Sequence, residues 1–392
     1  MDDSTTGKKT VYLHVGAPSA GAAYLQRVLW TNRRRLADQG VGYPVEGPLE
    51  HFAGVMDLRD MTWGGRRDPA WKGAWDRISG RARRWKGDTV VISQELLGGA
   101  TAEQVAHAVE SLQPADVHVV FITRDLGWQL VLDWQEQVKH AHTITFERFI
   151  DDLVTLGIGA PAPYGEMFWG LHDPGRVLKT WESAVPADRI HVLTLPPPGE
   201  APGLLWRRYC GLIGIDPASC DLIGMDEARP LGVLEMALLR RLNEKVAPAL
   251  GGDYETIIRD HIIGPTLREW SGSIPMRLPD RHYTWLDDRS RELVEGLRKA
   301  GYGVVGDLGE LEPLRDSSHA PLPGEVSDAE LLDMSTAVVT GLLLRLSAAH
   351  DQIGLAHLHD ELAQVRENMS RLLQAAATPS PGLRRATRRL PS

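Results

Sequence analysis

Thr10-Val11-Tyr12-Leu13-His14-Val15, then Gly16-Ala17-Pro18-Ser19-Ala20-Gly21, then Ala22-Ala23-Tyr24-Leu25-Gln26 is the stretch that decides the fold. The first six residues are β-branched, aromatic and apolar, which reads as a strand. A loop with two glycines and a proline follows at once. From Ala22 to Asp38, Leu25, Val28, Leu29 and Leu36 recur on one stripe, which predicts a helix. Working outward, further strands are expected at 88–93, 116–123 and 189–195. Helical patterns separate them at about 102–112, 125–139, 145–156 and 202–214. Strands alternating with helices imply an α/β fold with a central parallel sheet flanked by helices. The connection 43–87 is long and carries Trp63, Trp71, Trp75 and Trp85, which suit core packing or the wall of an apolar pocket.

Beyond residue 228 the pattern turns helical, at 229–247, 253–262 and 287–300. The reading divides the chain into an α/β core (1–227), a helical remainder of the same domain (228–315), a helical extension (328–376) and a basic tail (377–392). Within the extension, helices are expected at 328–348 and 355–376, the second with Leu362, Val365, Met369, Leu372 and Leu373 on one face. That face reads as a docking or coiled-coil seam, through which the chain could form a homo-oligomer. The tail, with Arg384, Arg385, Arg388 and Arg389, reads as a solvated disordered end rather than an anion site.

Composition bounds the function. The chain has 392 residues, 43% of them apolar and 24% charged, with a net charge of −9. Those are globular values. An acidic chain is a poor binder of phosphate backbones, so no nucleic-acid partner is expected. Cys210 and Cys220 are the two cysteines, too few for a disulfide framework or a zinc site, and no metal is expected. The start, MDDSTTGKK, lacks an apolar signal core, and no run of 18 uninterrupted apolar residues occurs. The expectation is a cytoplasmic protein without a membrane partner.

The loop between the first strand and helix offers backbone N–H groups and a helix N-terminus to a ligand. Its spacing is G-x-x-x-x-G, but Ala22 and Ala23 stand where a nucleotide-binding P-loop needs Lys and then Ser or Thr. Gly16, Pro18, Gly21, Tyr24, Leu25 and Gln26 instead resemble the donor loop of the sulfotransferase superfamily. His14-Val15-Gly16-Ala17-Pro18, Ile92-Ser93-Gln94-Glu95-Leu96-Leu97, Thr123-Arg124-Asp125-Leu126 and Trp134-Gln135-Glu136-Gln137-Val138-Lys139-His140 are similar to segments of actinobacterial sulfotransferase-like proteins. The resemblance spans about residues 10–315. It implies a sulfotransferase or P-loop-like fold, and a sulfuryl donor, 3′-phosphoadenosine 5′-phosphosulfate (PAPS), used on a hydroxyl or amine. It implies that the loop wraps the phosphosulfate, that the Arg ending the third expected strand grips the 3′-phosphate with a serine eight residues on, and that a His or Glu near the second expected strand deprotonates the acceptor.

The departures are specific. Ser19 stands at the lysine position, and Ala20, Ala22 and Ala23 stand at three threonine positions. Leu132 replaces the expected serine, and Gln94 sits where relatives often carry histidine. A positive group aimed at developing charge is worth about 3–4 kcal/mol, and each hydroxyl hydrogen bond about 0.5–1.5 kcal/mol. The loop lacks roughly 5–7 kcal/mol of donor and transition-state binding, about four to five decades in rate. The glycines and proline could equally do no more than shape the turn.

The expected function is a sulfotransferase-fold protein that has lost PAPS-dependent transfer and takes a different small molecule, by family analogy in specialised metabolism. No cofactor is expected. The rival readings are an active sulfotransferase with a compensating basic residue, and a non-catalytic partner acting through its C-terminal helices. His14 and Glu95 are the candidate acid–base residues. Gly16, Pro18, Ser19, Gly21, Gln94, Arg124, Trp134 and His140 are the candidate ligand-binding residues. Each has a structural alternative: His14 as a packed core histidine, Glu95 as a helix-entry carboxylate, Arg124 as the partner of Asp125, and Lys139 and His140 as complements to a helix C-terminus.

Overall fold

The computed structural model describes residues 8–195, 203–224, 229–315 and 320–377. The expected basic tail from 378 onward lies outside the described residues. The chain divides into two compact units, 1–334 and 335–392.

The first unit is built on six strands: β1 (Thr10–Gly16), β2 (Val41–Gly42), β3 (Thr89–Ser93), β4 (Asp116–Thr123), β5 (Ile190–Thr194) and β6 (Gly303–Val305). They form one sheet in the order β2-β3-β1-β4-β5-β6, and each neighbouring pair runs parallel. The expected α/β architecture is therefore the observed one. Val11, Leu13 and Val15 on β1 and Val119, Val120, Phe121 and Ile122 on β4 are all buried. That is the mark of parallel strands covered on both faces.

Helices α1 (Ala22–Thr31) and α2 (Arg33–Asp38) follow β1, and α3 (Glu50–Leu58) and α4 (Ala74–Arg84) lie in the Trp-bearing connection. Helix α5 (Ala102–Ser111) follows β3 and starts at a Thr101–Gln104 capping box. Between β4 and β5 come α6 (Leu126–Lys139), α7 (Phe146–Leu156), α8 (Tyr164–His172) and α9 (Pro174–Trp181). Then follow α10 (Leu204–Ile213), α11 (Val233–Leu250), the single turn α12 (Tyr254–Ile257), α13 (Tyr283–Ala300) and α14 (Asp328–Ala377).

Several elements differ from expectation. The helix expected over 22–38 breaks at Asn32. Its buried side-chain amide donates to the Val28 and Asp221 carbonyls, and its Oδ1 accepts from Asp221 N–H. Tertiary pairing there competes with the helix ladder. The helix expected over 253–262 is α12 followed by a wider-turned segment, Ile258–Leu267. The two helices expected after residue 327 are one continuous α14. Within it, Asp328–His350 contains an 18-residue window of mean hydropathy 1.4 and is long and apolar enough to cross a membrane by length and composition alone. No run of 18 uninterrupted apolar residues occurs within it, as the sequence reading states. The sequence rule demanded an unbroken apolar run, whereas a mean tolerates the scattered charges of this helix.

The tryptophans separate. Trp75 is buried, and its indole donates to Ser111. Trp85 donates to the Gly40 carbonyl beside β2. Trp63 lines a cavity.

Candidate active site

The direction of the chain changes at β1. Its connection runs to β2 on one side of the sheet, while the connections from β3 onward run the other way. In an open parallel sheet this makes a crevice outside the carboxyl end of β1, where ligands bind. A cavity of about 490 Å³ lies there, and Pro18, Ser19, Gly21, Gln94, Glu95 and Arg124 line it.

The loop is shaped before any side chain acts. The pairing of β1 with β4 slips by one residue between His14 and Gly16, and bulges of this kind re-aim a chain beside a site. The Ala17 N–H donates to the Ile122 carbonyl at 2.6 Å, and Ala17 and Ala20 are fully buried. Gly21 turns into α1 at φ 84°, and a Cβ there would come 2.4 Å from Leu205 Cδ2. Both space and conformation demand glycine. No side chain caps α1 and no acid sits in its first turn, and Ala22, Ala23 and Tyr24 at its start line the crevice.

Glu95 follows β3 in a short 3₁₀ turn, Glu95–Gly99, which Gln94 caps by accepting from the Leu96 N–H. The Gln26 amide donates to the Glu95 carboxylate at 2.8 Å. Burial raises the Glu95 pKa, and the nearby Glu136 carboxylate adds to it, against the Gln26 hydrogen bond. Glu136 faces the same cavity. Burial works to raise Glu136 too, but Lys139 at 2.6 Å, His140 and Arg268 hold it below its ordinary value. Asp133 completes a set of three carboxylates lining the cavity and lies 3.4 Å from His172.

Arg124 leaves β4 into the cavity wall, its guanidinium carbon 5.9 Å from the Trp128 ring centre. Its neighbour Asp125 caps α6 by accepting from Trp128 N–H, and burial pushes its carboxyl up to about 6. His140 ends α6, bonds Glu255 at 2.8 Å and meets Trp63 edge-on at 5.3 Å.

Three expected site residues lie elsewhere. His14 is 0% exposed and lines neither cavity. One ring nitrogen bonds Ser93 Oγ at 2.8 Å and the other the Gly16 carbonyl at 3.0 Å. Burial lowers its pKa to about 4, so it stays neutral at physiological pH. It holds the loop from beneath. Trp134 is 0% exposed, donates to the Ile144 carbonyl at 3.0 Å and packs on Phe146. Gly16 is likewise buried below the crevice and shapes it only through the backbone.

The structure adds residues that sequence reasoning missed. Phe52 and Trp63 arrive from the long connection, Met167 and Leu171 from α8, and Arg229 from the segment before α11. Asp133, Glu136 and Gln137 lie on one face of α6 with His140. Their spacing of i, i+3, i+4 and i+7 was readable as a helical stripe. A second, larger chamber of about 1140 Å³ adjoins the crevice, and Trp63, Leu96, Gln137, His140, Met167 and Leu171 line both. Cys210 and Cys220 are buried free thiols whose pKa burial raises, away from both chambers.

No protein-family model matches this chain, and no curated protein matches it. Among solved structures, that of a sulfotransferase from Alicyclobacillus acidocaldarius is similar over 63% of this chain and 95% of that one, with 15% sequence identity and a TM-score of 0.37.

Proposed function

We propose that this chain is a divergent sulfotransferase-like protein whose crevice takes a small molecule other than the phosphosulfate donor, and that Glu95 carries a proton on that molecule. The likeness of the loop and strand-end segments to that family supports the kinship. The observation that carries the change of ligand is the charge of the crevice. The loop contributes Pro18, Ser19, Gly21, Ala22 and Ala23 and no cation, while Glu95, Asp133 and Glu136 line the same space. Arg124 and Arg229 are the arginines there. Two like charges about 4 Å apart repel by about 4 kcal/mol at an effective dielectric of 20. A donor with several negative charges gains little from such a wall.

Glu95 suits proton transfer because its pKa is raised in a cavity and its carboxylate is oriented. Gln26 fixes one oxygen, and Gln94 fixes the turn that carries the residue. Protonated, the carboxyl donates to a bound oxygen or nitrogen; ionised, it accepts the proton of a hydroxyl or amine. His14 acts through the loop as a positioning residue.

The test is calorimetric titration with 3′-phosphoadenosine 5′-phosphate, the spent donor, beside a Ser19→Lys, Ala20→Thr, Ala22→Thr, Ala23→Thr variant. No saturable heat is expected from the natural chain, with binding appearing in the variant. Micromolar binding by the natural chain would overturn the reading. It would instead support an active sulfotransferase in which Arg229, brought to the crevice from outside the sheet, supplies the missing charge. A second reading, an interaction protein acting through its C-terminal helix, draws on Val339, Leu343, Leu346, Leu362, Val365 and Met369, all more than half exposed on α14.

A further inference from the structure

We infer that the larger chamber recognises an organic monoanion, a carboxylate or sulfonate on an apolar body, and that Arg59 is the residue that holds its charge. The inference rests on the proposal of a small-molecule ligand and names that ligand's class.

Arg59 leaves the end of α3 and lines the larger chamber. Its Nη1 donates to the Leu96 carbonyl at 2.7 Å, one residue beyond Glu95. Among the described residues no carboxylate lies within salt-bridge distance of it, although Asp57 and Asp60 nearby are both engaged by Arg67. Burial lowers its pKa, with no opposing charge to compensate. A guanidinium has five N–H donors, and one carbonyl leaves most of them unused. A half-buried cation without a counter-charge is costly unless an anion joins it. The guanidinium also approaches Gly99 closely: a Cβ there would come 2.5 Å from Nη2. The site therefore has a built floor, and glycine at position 99 is part of it.

The rest of the chamber sets the body of the ligand. Met61, Trp63, Ile158 and Val177 give it apolar and aromatic walls. The other charged groups there are already occupied or lie toward solvent. Lys179 pairs with Glu182 at 2.8 Å and Glu255 with His140 at 2.8 Å, while Arg176 and Glu166 are exposed. A half-buried guanidinium with no carboxylate partner, set among apolar walls, favours one anionic group. A ligand anchored on Arg59 and passing Trp63 and Leu96, which line both chambers, reaches toward the crevice that holds Glu95.

The probe is 8-anilinonaphthalene-1-sulfonate, an aromatic monoanion whose fluorescence rises in apolar surroundings, titrated into the full chain. Saturable micromolar binding is expected, displaced by naphthalene-2-acetate and not by naphthalene-2-acetamide. Arg59→Met is expected to weaken it at least about tenfold, the range of a hydrogen-bonded charge pair. Gly99→Ala, which pushes the guanidinium off its floor, is expected to weaken it in the same direction and is read alone if Arg59→Met fails to fold. Absent dye binding, equal displacement by acid and amide, or unchanged affinity in the folded variant would overturn the inference. The nucleotide titration reads the crevice and not Arg59, so the two proposals fail separately.

Discussion

Replacing His14 with Gln is expected to flatten the acid limb of the stability curve. The Gly16 carbonyl can only accept, so His14 Nε2 carries the ring proton at 3.0 Å from it, and Nδ1 accepts from the Ser93 hydroxyl at 2.8 Å. Burial lowers the pKa of this neutral ring to about 4, against the raising effect of the Gly16 bond. In the unfolded chain a histidine titrates near 6.5. Between those values the unfolded chain binds a proton that the folded chain refuses. The stability from His14 is thus fully present above pH 6.5 and is lost as pH falls to about 4. At about 1.4 kcal/mol per pH unit the loss is about 3 kcal/mol. Glutamine can still reach the Gly16 carbonyl but does not titrate and forfeits the Ser93 bond, so the variant should be about 1 kcal/mol less stable at pH 7.5. At pH 4 that deficit should vanish or reverse. Urea unfolding followed by tryptophan fluorescence at several pH values gives the two curves. His51, lowered to about 3, and His191, lowered to about 4, are common to both proteins and cancel in the difference. Curves that stay parallel from pH 7.5 to pH 4 would show that His14 titrates normally, and the assignment of a neutral positioning role would be wrong.

Glu95→Gln should stabilise the protein at neutral pH, because burial raises this carboxyl and ionising it costs stability as pH rises through the folded value. The advantage should disappear below the unfolded value of about 4.5, measured in the same urea series. Gly21→Ala combines φ 84° with a Cβ 2.4 Å from Leu205 Cδ2 and should cost about 1–3 kcal/mol in unfolding free energy; a neutral result would mean that the loop relaxes freely. Thr101→Ala removes the capping box of α5 and should cost about 1 kcal/mol by the same assay. A chain shortened to residues 1–334 should keep its urea midpoint, since those residues form one compact unit. By light scattering it should be monomeric where the full chain associates, and equal masses would remove α14 as a self-association surface.

Four strands were legible because each is an apolar run bounded by turns. Strands β2 and β6 were not, having two and three residues. So short a segment has no periodicity of its own, and its assignment comes from the hydrogen bonds that β3 and β5 hold out to it. The break at Asn32 was hidden for a similar reason, since its partner Asp221 is far along the chain.

The site divides along the same line. Gln94, Glu95 and Arg124 line the crevice because they follow parallel strands, and the crevice lies at those ends. His14 lines neither cavity, and a strand buried on both faces does not announce which side chains meet one. On α6, at about 100° per residue, Asp133, Glu136, Gln137 and His140 fall within one sector, whereas Trp134 is rotated away from it toward Phe146. Trp134 belongs to the segment that carries the resemblance, but Asp133 and Glu136 are the α6 carboxylates that line the cavity. Those two carboxylates line the same cavity as the loop, to which the loop brings Ser19 and no cation, and the proposed change of ligand draws on both. The face of α6 that lines the same cavity as the loop carries Asp133 and Glu136, whereas the cation of Arg59 lines the neighbouring chamber, and the proposed ligand classes of the two spaces rest on that contrast.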